Sequence, residues 1–183
     1  MEKTEKDKRY QKTKVAIEDA IEKLYEAGKN LSQITVSEIT NLANITRKTF
    51  YLHYQSVNDF IQEQIIESAD GFASAYLNSA MPLNSTIMDL YKAITKSTFN
   101  NKFLRVLIKS KYHQTVFFDR IKLKLKAHIK NYTQVDDYAL EFIVSGLTST
   151  YLLWLSTIKT KEYMPTFDDA IKKMVTSALN LVK

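Results

Sequence analysis

The sequence predicts an all-α protein in which a three-helix helix-turn-helix domain precedes a helical bundle, with about nine helices in total. Only three glycines and two prolines interrupt the 183 residues, so few turns are marked and long helices are favoured. Apolar residues recur with helical spacing, and Ser, Thr or Asp precedes several of these stretches, as at helix N-caps. We place the two domains at 1–56 and 57–183.

The composition is that of a folded, soluble chain, because 45% of the residues are hydrophobic and 25% are charged. The absence of cysteine excludes disulfides and thiolate metal sites. The apolar runs are too short to span a membrane and the N-terminus is too charged for a signal peptide. We therefore expect a cytoplasmic protein with no membrane partner.

The first helix is expected over about 8–27, where Gly28 can end it in the left-handed conformation. Residues 1–14 are polar, with six basic residues and three acids, and predict either a solvated arm or an arm along phosphates. The apolar positions that follow have helical spacing and are Val15, Ile17, Ile21, Leu24 and Tyr25.

Three helix starts then follow closely. Thr35 and Glu38 form a capping box, Thr46 caps the next helix, and Ser56 caps a third. Asn44 tolerates the left-handed conformation that a tight turn between the first two requires. A turn of this length between two short helices is typical of the helix-turn-helix motif.

The second short helix carries Arg47 and Lys48 in its first turn, where the helix dipole disfavours each exposed cation by about 0.3–1 kcal/mol. Phe50 and Tyr54 point inward, which leaves Tyr51 on the outer face with the cations. A solvated face is one interpretation. Contact with nucleic acid explains more, because a helix N-terminus attracts phosphate and Arg or Lys suits guanine in the major groove.

Residues from about 14 to 66 resemble the DNA-binding domain of the TetR family of bacterial transcription regulators. The resemblance is carried by Ala20, by "LYEAGKNLSQITVSEIT" and by "TRKTFYLHYQSVNDF". It implies that Thr35, Thr49, Tyr51 and His53 contact phosphate. It also implies that Arg47 and Lys48 read bases. With the Thr46 cap, the expected DNA-binding residues are Thr35, Thr46, Arg47, Lys48, Thr49, Tyr51 and His53.

Three positions depart from the family pattern. Asn44 stands where the family often has Gly, and Thr40 stands where Ala is common. Val57 replaces a usual Lys at the start of the fourth helix. Loss of that phosphate contact should lower the salt dependence of binding by about 0.9 per half-site.

The remaining chain predicts a bundle. Its expected helices are 57–79, stopping near Pro82, then 85–99, 102–110, 114–131, one capped at Thr133 and reaching about 158, and a last one capped at Thr166. The segment "IKLKLK" also alternates with period two, but its flanks favour a helix over a strand.

The segment "FIVSGLTSTYLLWL" is apolar around the whole helix, which predicts burial against a partner subunit. By resemblance, the last two helices pair with their copies in a homodimer. The expected interface residues are Phe142, Ser145, Gly146, Ser149, Leu152 and Leu155. A two-fold dimer predicts a palindromic operator with half-sites about 34–36 Å apart, or a multiple of that spacing.

Aromatic residues of the bundle are numerous enough either to pack a core or to line an effector pocket. The candidate pocket residues are Phe103, Tyr112, His113, Phe117 and Trp154. Residues 98–130 hold nine cations and one acid, a net charge of +8. This stretch could be a solvated face, a site for an anionic effector or an acidic protein, or an auxiliary DNA contact.

The expected function is a dimeric repressor that a small-molecule effector releases from double-stranded operator DNA. The alternative is a regulator or activator controlled by a protein partner, with a filled core. Catalysis is disfavoured, because the sequence lacks a Gly-rich phosphate loop, His-x-x-x-His spacing and an evident nucleophile–base pair. We expect no catalytic residues, metal or cofactor.

Overall fold

The structure, a computed structural model, describes residues 2–77, 83–131, 134–157, 169, 172–173 and 175–177. In these ranges the chain forms eight α-helices and one 3-10 turn without any strand, which confirms the all-α prediction. The elements are α1 (Glu2–Glu26), the 3-10 turn Leu31–Gln33, α2 (Val36–Leu42), α3 (Arg47–Tyr51), α4 (Val57–Leu77), α5 (Leu83–Asn100), α6 (Lys102–Lys109), α7 (Lys111–Lys130) and α8 (Asp137–Thr157). The expected stop at Pro82 and cap at Thr166 lie outside the described residues, although the described positions from 169 to 177 are helical.

The helix α1 begins at Glu2, so the prediction of an arm over residues 1–14 and a helix start near residue 8 was wrong. The hydroxyl of Tyr10 donates to Glu63 Oε1 at 2.8 Å and lies 2.9 Å from the Tyr54 hydroxyl. Lys14 forms an ion pair with Glu67. These bonds to α4 explain why the helix continues through a polar segment.

Two left-handed residues shape the helix-turn-helix. Gly28, with a φ of 91°, ends α1, and Asn44, with a φ of 51°, makes the turn between α2 and α3. The expected Asn44 conformation is confirmed. Thr40 is buried, and its hydroxyl donates to the Ser37 carbonyl at 3.1 Å, so this departure from alanine leaves no unpaired group.

The bundle is built around α4, which packs against both α5 and α7. The rings of Phe72 on α4 and Phe117 on α7 lie 6.1 Å apart. The segment "IKLKLK" lies within α7, so its helical interpretation is confirmed. The helix α7 begins at residue 111 rather than 114, because only the extended residue Ser110 separates it from α6.

The start of α8 also differs from the prediction. The helix begins at Asp137, and the amides of Tyr138 and Ala139 both donate to Asp136 Oδ1 at 3.0 Å, so Asp136 provides an N-terminal acceptor. A carboxylate in this position also complements the helix dipole. The predicted cap at Thr133 lies outside the described residues. None of the helices in the described ranges has the length and apolar character that a membrane span needs.

Candidate nucleic-acid interface

The helix α3 is short and is capped as predicted. The Thr46 hydroxyl accepts from the Thr49 amide at 3.0 Å, and the two threonine hydroxyls lie 2.9 Å apart. The first turn holds Arg47 and Lys48, both exposed, and no acid. The N-terminus of α3 therefore presents two cations beside the helix amides, an arrangement that favours a polyanion as partner.

The side chains that α3 buries determine which of its residues face solvent. Phe50 and Tyr54 are buried, their ring centroids are 5.7 Å apart, and the Tyr54 ring meets Phe60 of α4 edge-on at 4.8 Å. Burial raises the pKa of Tyr54. Tyr51 is 56% exposed on the opposite side. The packing of Phe50 and Tyr54 against the core therefore leaves Arg47 and Tyr51 on the side of α3 that faces solvent.

Arg47 connects the two helices of the motif. Its Nη2 donates to the Ser37 hydroxyl at 2.8 Å, so the first turn of α3 is bonded to the first turn of α2. This bond brings the N-terminal ends of both helices to one surface. Sequence reasoning did not identify Ser37, and its position in the capping-box segment carries no signal for a partner ten residues away.

Thr35 is held in a reciprocal capping box. Its hydroxyl accepts from the Glu38 amide at 3.3 Å and donates to Glu38 Oε2 at 2.8 Å, while its amide donates to the same carboxylate oxygen at 3.1 Å. Lys29 forms an ion pair with Glu38. Hydrogen bonds from Lys29 first, and then from Thr35, lower the pKa of Glu38 to about 2.

His53, at the end of the motif, is exposed and stands beside α1. Its ring meets the ring of Tyr10 edge-on, with 5.0 Å between centroids. Tyr10 also bonds to the buried Tyr54, so α1 supports the segment that follows α3. Tyr10 was missed because it lies in a segment whose polar composition predicts an arm.

The predicted interface helix α8 has one buried and one exposed side within the chain. Val144 and Leu147 are buried, whereas Tyr138 and Phe142 are 89% and 71% exposed. Gly146 and Ser149 are exposed, Ser145 and Leu152 are half-buried, and the side chain of Leu155 lies outside the described part. The sequence predicted that α8 is buried on all sides. Within the described structure only one side is buried, so the other side would need a second molecule to cover it.

The four candidate pocket residues whose side chains the structure describes do not converge on one cavity. Phe103 and Phe117 are packed in the core, and the side chain of Trp154 lies outside the described part. Tyr112 and His113 instead line a cleft of about 530 Å³ at the start of α7. Burial lowers the pKa of His113, which favours its neutral form.

Six cations of the basic stretch 98–130 are paired with acids, and all but one of these acids lie on other elements. Arg120 donates to both carboxylate oxygens of Asp70 at 2.7 Å, and Lys124 lies 3.7 Å from the same group. The further pairs are Lys102–Glu26, Lys122–Asp119, Lys126–Glu141 and Lys130–Asp137. Much of the local charge excess is therefore balanced in space, which favours a solvated face over an auxiliary DNA contact.

Comparisons with known proteins agree on the fold. No protein-family model and no curated protein matches the sequence. A TetR transcriptional regulator from Streptococcus agalactiae aligns over 98% of both chains, with 23% identity and a TM-score of 0.64. The TetR-family repressor AlkX from a Dietzia species, implicated in n-alkane biodegradation, aligns over 92% of this chain and 97% of its own, with 14% identity and a TM-score of 0.59.

A third structure was solved with a ligand. Thermus thermophilus FadR, a TetR-family transcriptional repressor in complex with lauroyl-CoA, aligns over 92% of both chains, with 17% identity and a TM-score of 0.51. At these identities the likeness shows a shared fold, from the N-terminal motif through the bundle.

Proposed function

We propose that this chain, which has the fold of the TetR-family regulators, is a sequence-specific DNA-binding transcriptional regulator of the cytoplasm. It acts as a homodimeric repressor that a small-molecule effector releases from a palindromic operator. The observation that carries this proposal is α3, a capped and well-supported helix whose first turn exposes Arg47 and Lys48 without an acid. Helix ends that face only water favour acids there, as Asp59 in the first turn of α4 illustrates.

Each residue of the motif has a role in this proposal. Arg47 and Lys48 enter the major groove and contact base edges, because their charge and reach suit guanine O6 and N7. Thr35, Thr49, Tyr51 and His53 contact phosphates, which fix the register of the protein on the duplex. Thr46, which caps α3, contacts the same polyanion through its hydroxyl, and residues 1–56 as a whole provide the scaffold for these contacts.

The exposed side of α8 supports the dimer. Large aromatic side chains there, Tyr138 and Phe142, have no cover among the residues that the structure describes, while Gly146 has open space where a side chain would stand. Burial of each such apolar side chain contributes about 1.5–3 kcal/mol, so a second copy of the same face is a suitable cover. Two-fold pairing then presents two α3 helices to one duplex.

Control by a small molecule is supported by the size of the cleft beside His113 and by the lauroyl-CoA bound to the Thermus FadR. The alternative, a regulator or activator controlled by a protein partner, is favoured by a filled part of the core. There the buried hydroxyls of Tyr91 and Thr148 lie 3.2 Å apart, and those of Tyr151 and Thr95 lie 3.1 Å apart.

The proposal is tested by selecting bound duplexes from a randomised DNA library with the purified protein. We expect enrichment of a palindrome whose half-sites are separated by about 34–36 Å or a multiple. A double variant, Arg47→Ala with Lys48→Ala, serves as the matched control and should not enrich the motif. Recovery of unenriched DNA by the native protein would rule out sequence-specific binding.

A further inference from the structure

The cleft beside His113 lies between the helix-turn-helix region and the bundle. One wall is formed by the end of α1, by residues 30–34 and by the start of α4, and the other by the end of α6 and the start of α7. Its volume of about 530 Å³ is within the range of about 300–1,000 Å³ that small-molecule sites occupy. A ligand here would touch both parts of the fold at once.

The lining has the chemistry of an anion site. It contains Lys109 and His113, and no carboxylate is among the described residues that line it. Neutral donors are contributed by Asn30, Ser32 and Asn58, and apolar surface by Ile61 and others. The Lys109 ammonium lies 5.5 Å from the centroid of the Tyr25 ring, so the cation is held at the cleft wall.

Two features at the start of α7 lack a partner. His113 is only 8% exposed, and its Nδ1 makes no hydrogen bond within the described structure. The Ser110 hydroxyl, at the N-cap of this 20-residue helix, makes no capping bond, and the first turn holds no acid. An anion in the cleft would satisfy the helix amides, and its polar atoms would reach the buried imidazole.

Val57, at the start of α4, belongs to the same site. Its side chain packs against the core and lines the cleft, where it forms an apolar wall. The body of the ligand should therefore be apolar.

We propose that this cleft binds a small organic anion with an apolar body, and that the bound anion regulates DNA binding. The regulatory part rests on the proposed function. Residues 30–34 lead directly into the Thr35 cap of α2, and α2 is bonded to α3 through Ser37 and Arg47. A ligand that joins this connection to Lys109 changes DNA affinity if it binds the free and DNA-bound states unequally.

The experiment uses two fluorescent probes of similar shape. Anilinonaphthalene sulfonate is an anion, and phenylnaphthylamine is its uncharged counterpart. Both are titrated into the full native chain without DNA, and the ratio of their dissociation constants is compared with that of Lys109→Met. The matched control is Lys111→Met, which removes a neighbouring exposed lysine that does not line the cleft.

We expect the native chain and Lys111→Met to prefer the anion, and Lys109→Met to lose about tenfold of that preference. A second variant, Ser32→Trp, fills the cleft from an exposed position and should weaken both probes. Equal binding of the two probes by the native chain, or a preference unchanged by Lys109→Met, would overturn the proposed site.

A second titration, with operator DNA, tests the proposed regulation of DNA binding separately from the anion site itself. Saturating anionic probe should change the operator affinity of the native chain at least several-fold and leave that of Ser32→Trp unchanged. If DNA binds normally but the probe has no effect on it, the regulatory part is wrong. If the probe binds with the expected preference but no operator is found, the proposed function fails and the anion site stands.

Discussion

The guanidinium of Arg47 donates to the hydroxyl of Ser37 across 2.8 Å, and this bond joins the first turns of α3 and α2. A cation in the first turn of a helix is unfavourable by itself. Here its charge is directed toward a hydroxyl oxygen of the neighbouring helix, which orients the side chain while leaving it exposed. Because the Arg47 side chain is already oriented in the free protein, it would lose less conformational entropy on binding DNA.

Removal of this bond should weaken DNA binding without unfolding the domain. We expect Ser37→Ala to reduce operator affinity by about 0.5–1.5 kcal/mol, because Arg47 loses its support. Fluorescence anisotropy of a labelled operator measures the change, and Ser74→Ala, which alters an exposed serine near the end of α4, is the control. Unchanged affinity in Ser37→Ala would show that the bond does not prepare Arg47 for binding.

The local parts of the motif were predictable from sequence. The Thr35–Glu38 box and the Thr46 cap depend on partners three residues apart, so both can be recognised from a short stretch of sequence. The same holds for the left-handed turn at Asn44. Tyr10 was not predictable, because its hydroxyl partners lie 44 and 53 residues away and exist only when α1 packs on α4.

The charge balance of the basic stretch 98–130 and the position of the cleft could not be predicted either, because both depend on residues that are distant along the chain. The sequence around Arg120 shows a charge excess, whereas the balancing Asp70 lies 50 residues away on α4. The cleft combines several segments that are distant along the chain. Of the four predicted pocket residues whose side chains are described, Tyr112 and His113 line it. Burial of Phe103 and Phe117 follows from packing that aromatic composition alone does not determine.

The packing of Tyr10 gives a stability prediction. We expect Tyr10→Phe to lower the free energy of unfolding by about 1–3 kcal/mol, because the buried Tyr54 hydroxyl loses its partner. Urea unfolding at a fixed protomer concentration measures the effect. The matched control, Tyr51→Phe on the exposed face of α3, should change stability by less than about 0.5 kcal/mol. An equally small effect in Tyr10→Phe would mean that residues 1–14 behave as an arm.

The ion pair of Glu38 predicts a pH dependence. Its pKa falls from 4.5 to about 2 on folding, so its stabilisation is complete above about pH 5 and is lost as the pH falls toward 2. The stability difference between the native chain and Glu38→Gln should therefore be largest near pH 7 and shrink on acidification. Urea midpoints measured from pH 7 to pH 3 test this.

Glu18→Gln is a control of opposite sign. Burial is the main cause that raises the pKa of Glu18, so ionisation of this carboxyl disfavours the folded state as the pH rises. Glu18→Gln should lose no stability at pH 7 through this effect. A Glu38→Gln difference that does not vary with pH would contradict the assignment of the Lys29 and Thr35 bonds as its cause.

The exposed side of α8 predicts the oligomeric state. The purified protein should be a dimer at micromolar concentration, and Phe142→Lys should shift it toward monomer because a charge would be buried in the interface. Leu123→Lys, at an apolar position of α7 with 57% exposure, is the matched control and should leave association unchanged. Sedimentation velocity distinguishes the species. A native monomer would remove the basis for a two-fold operator.

The most direct test of the central claim compares Arg47→Ala and Lys48→Ala on operator and on scrambled duplex, by anisotropy at two salt concentrations. Each substitution should weaken operator binding by about 1–3 kcal/mol and weaken scrambled binding less, if the residue reads a base. Lys111→Ala, which removes an exposed lysine of the bundle, should leave both affinities unchanged. An equal loss on both duplexes would reassign the residue to a phosphate contact. Unchanged operator affinity in both variants would contradict the claim that α3 is the DNA-reading helix.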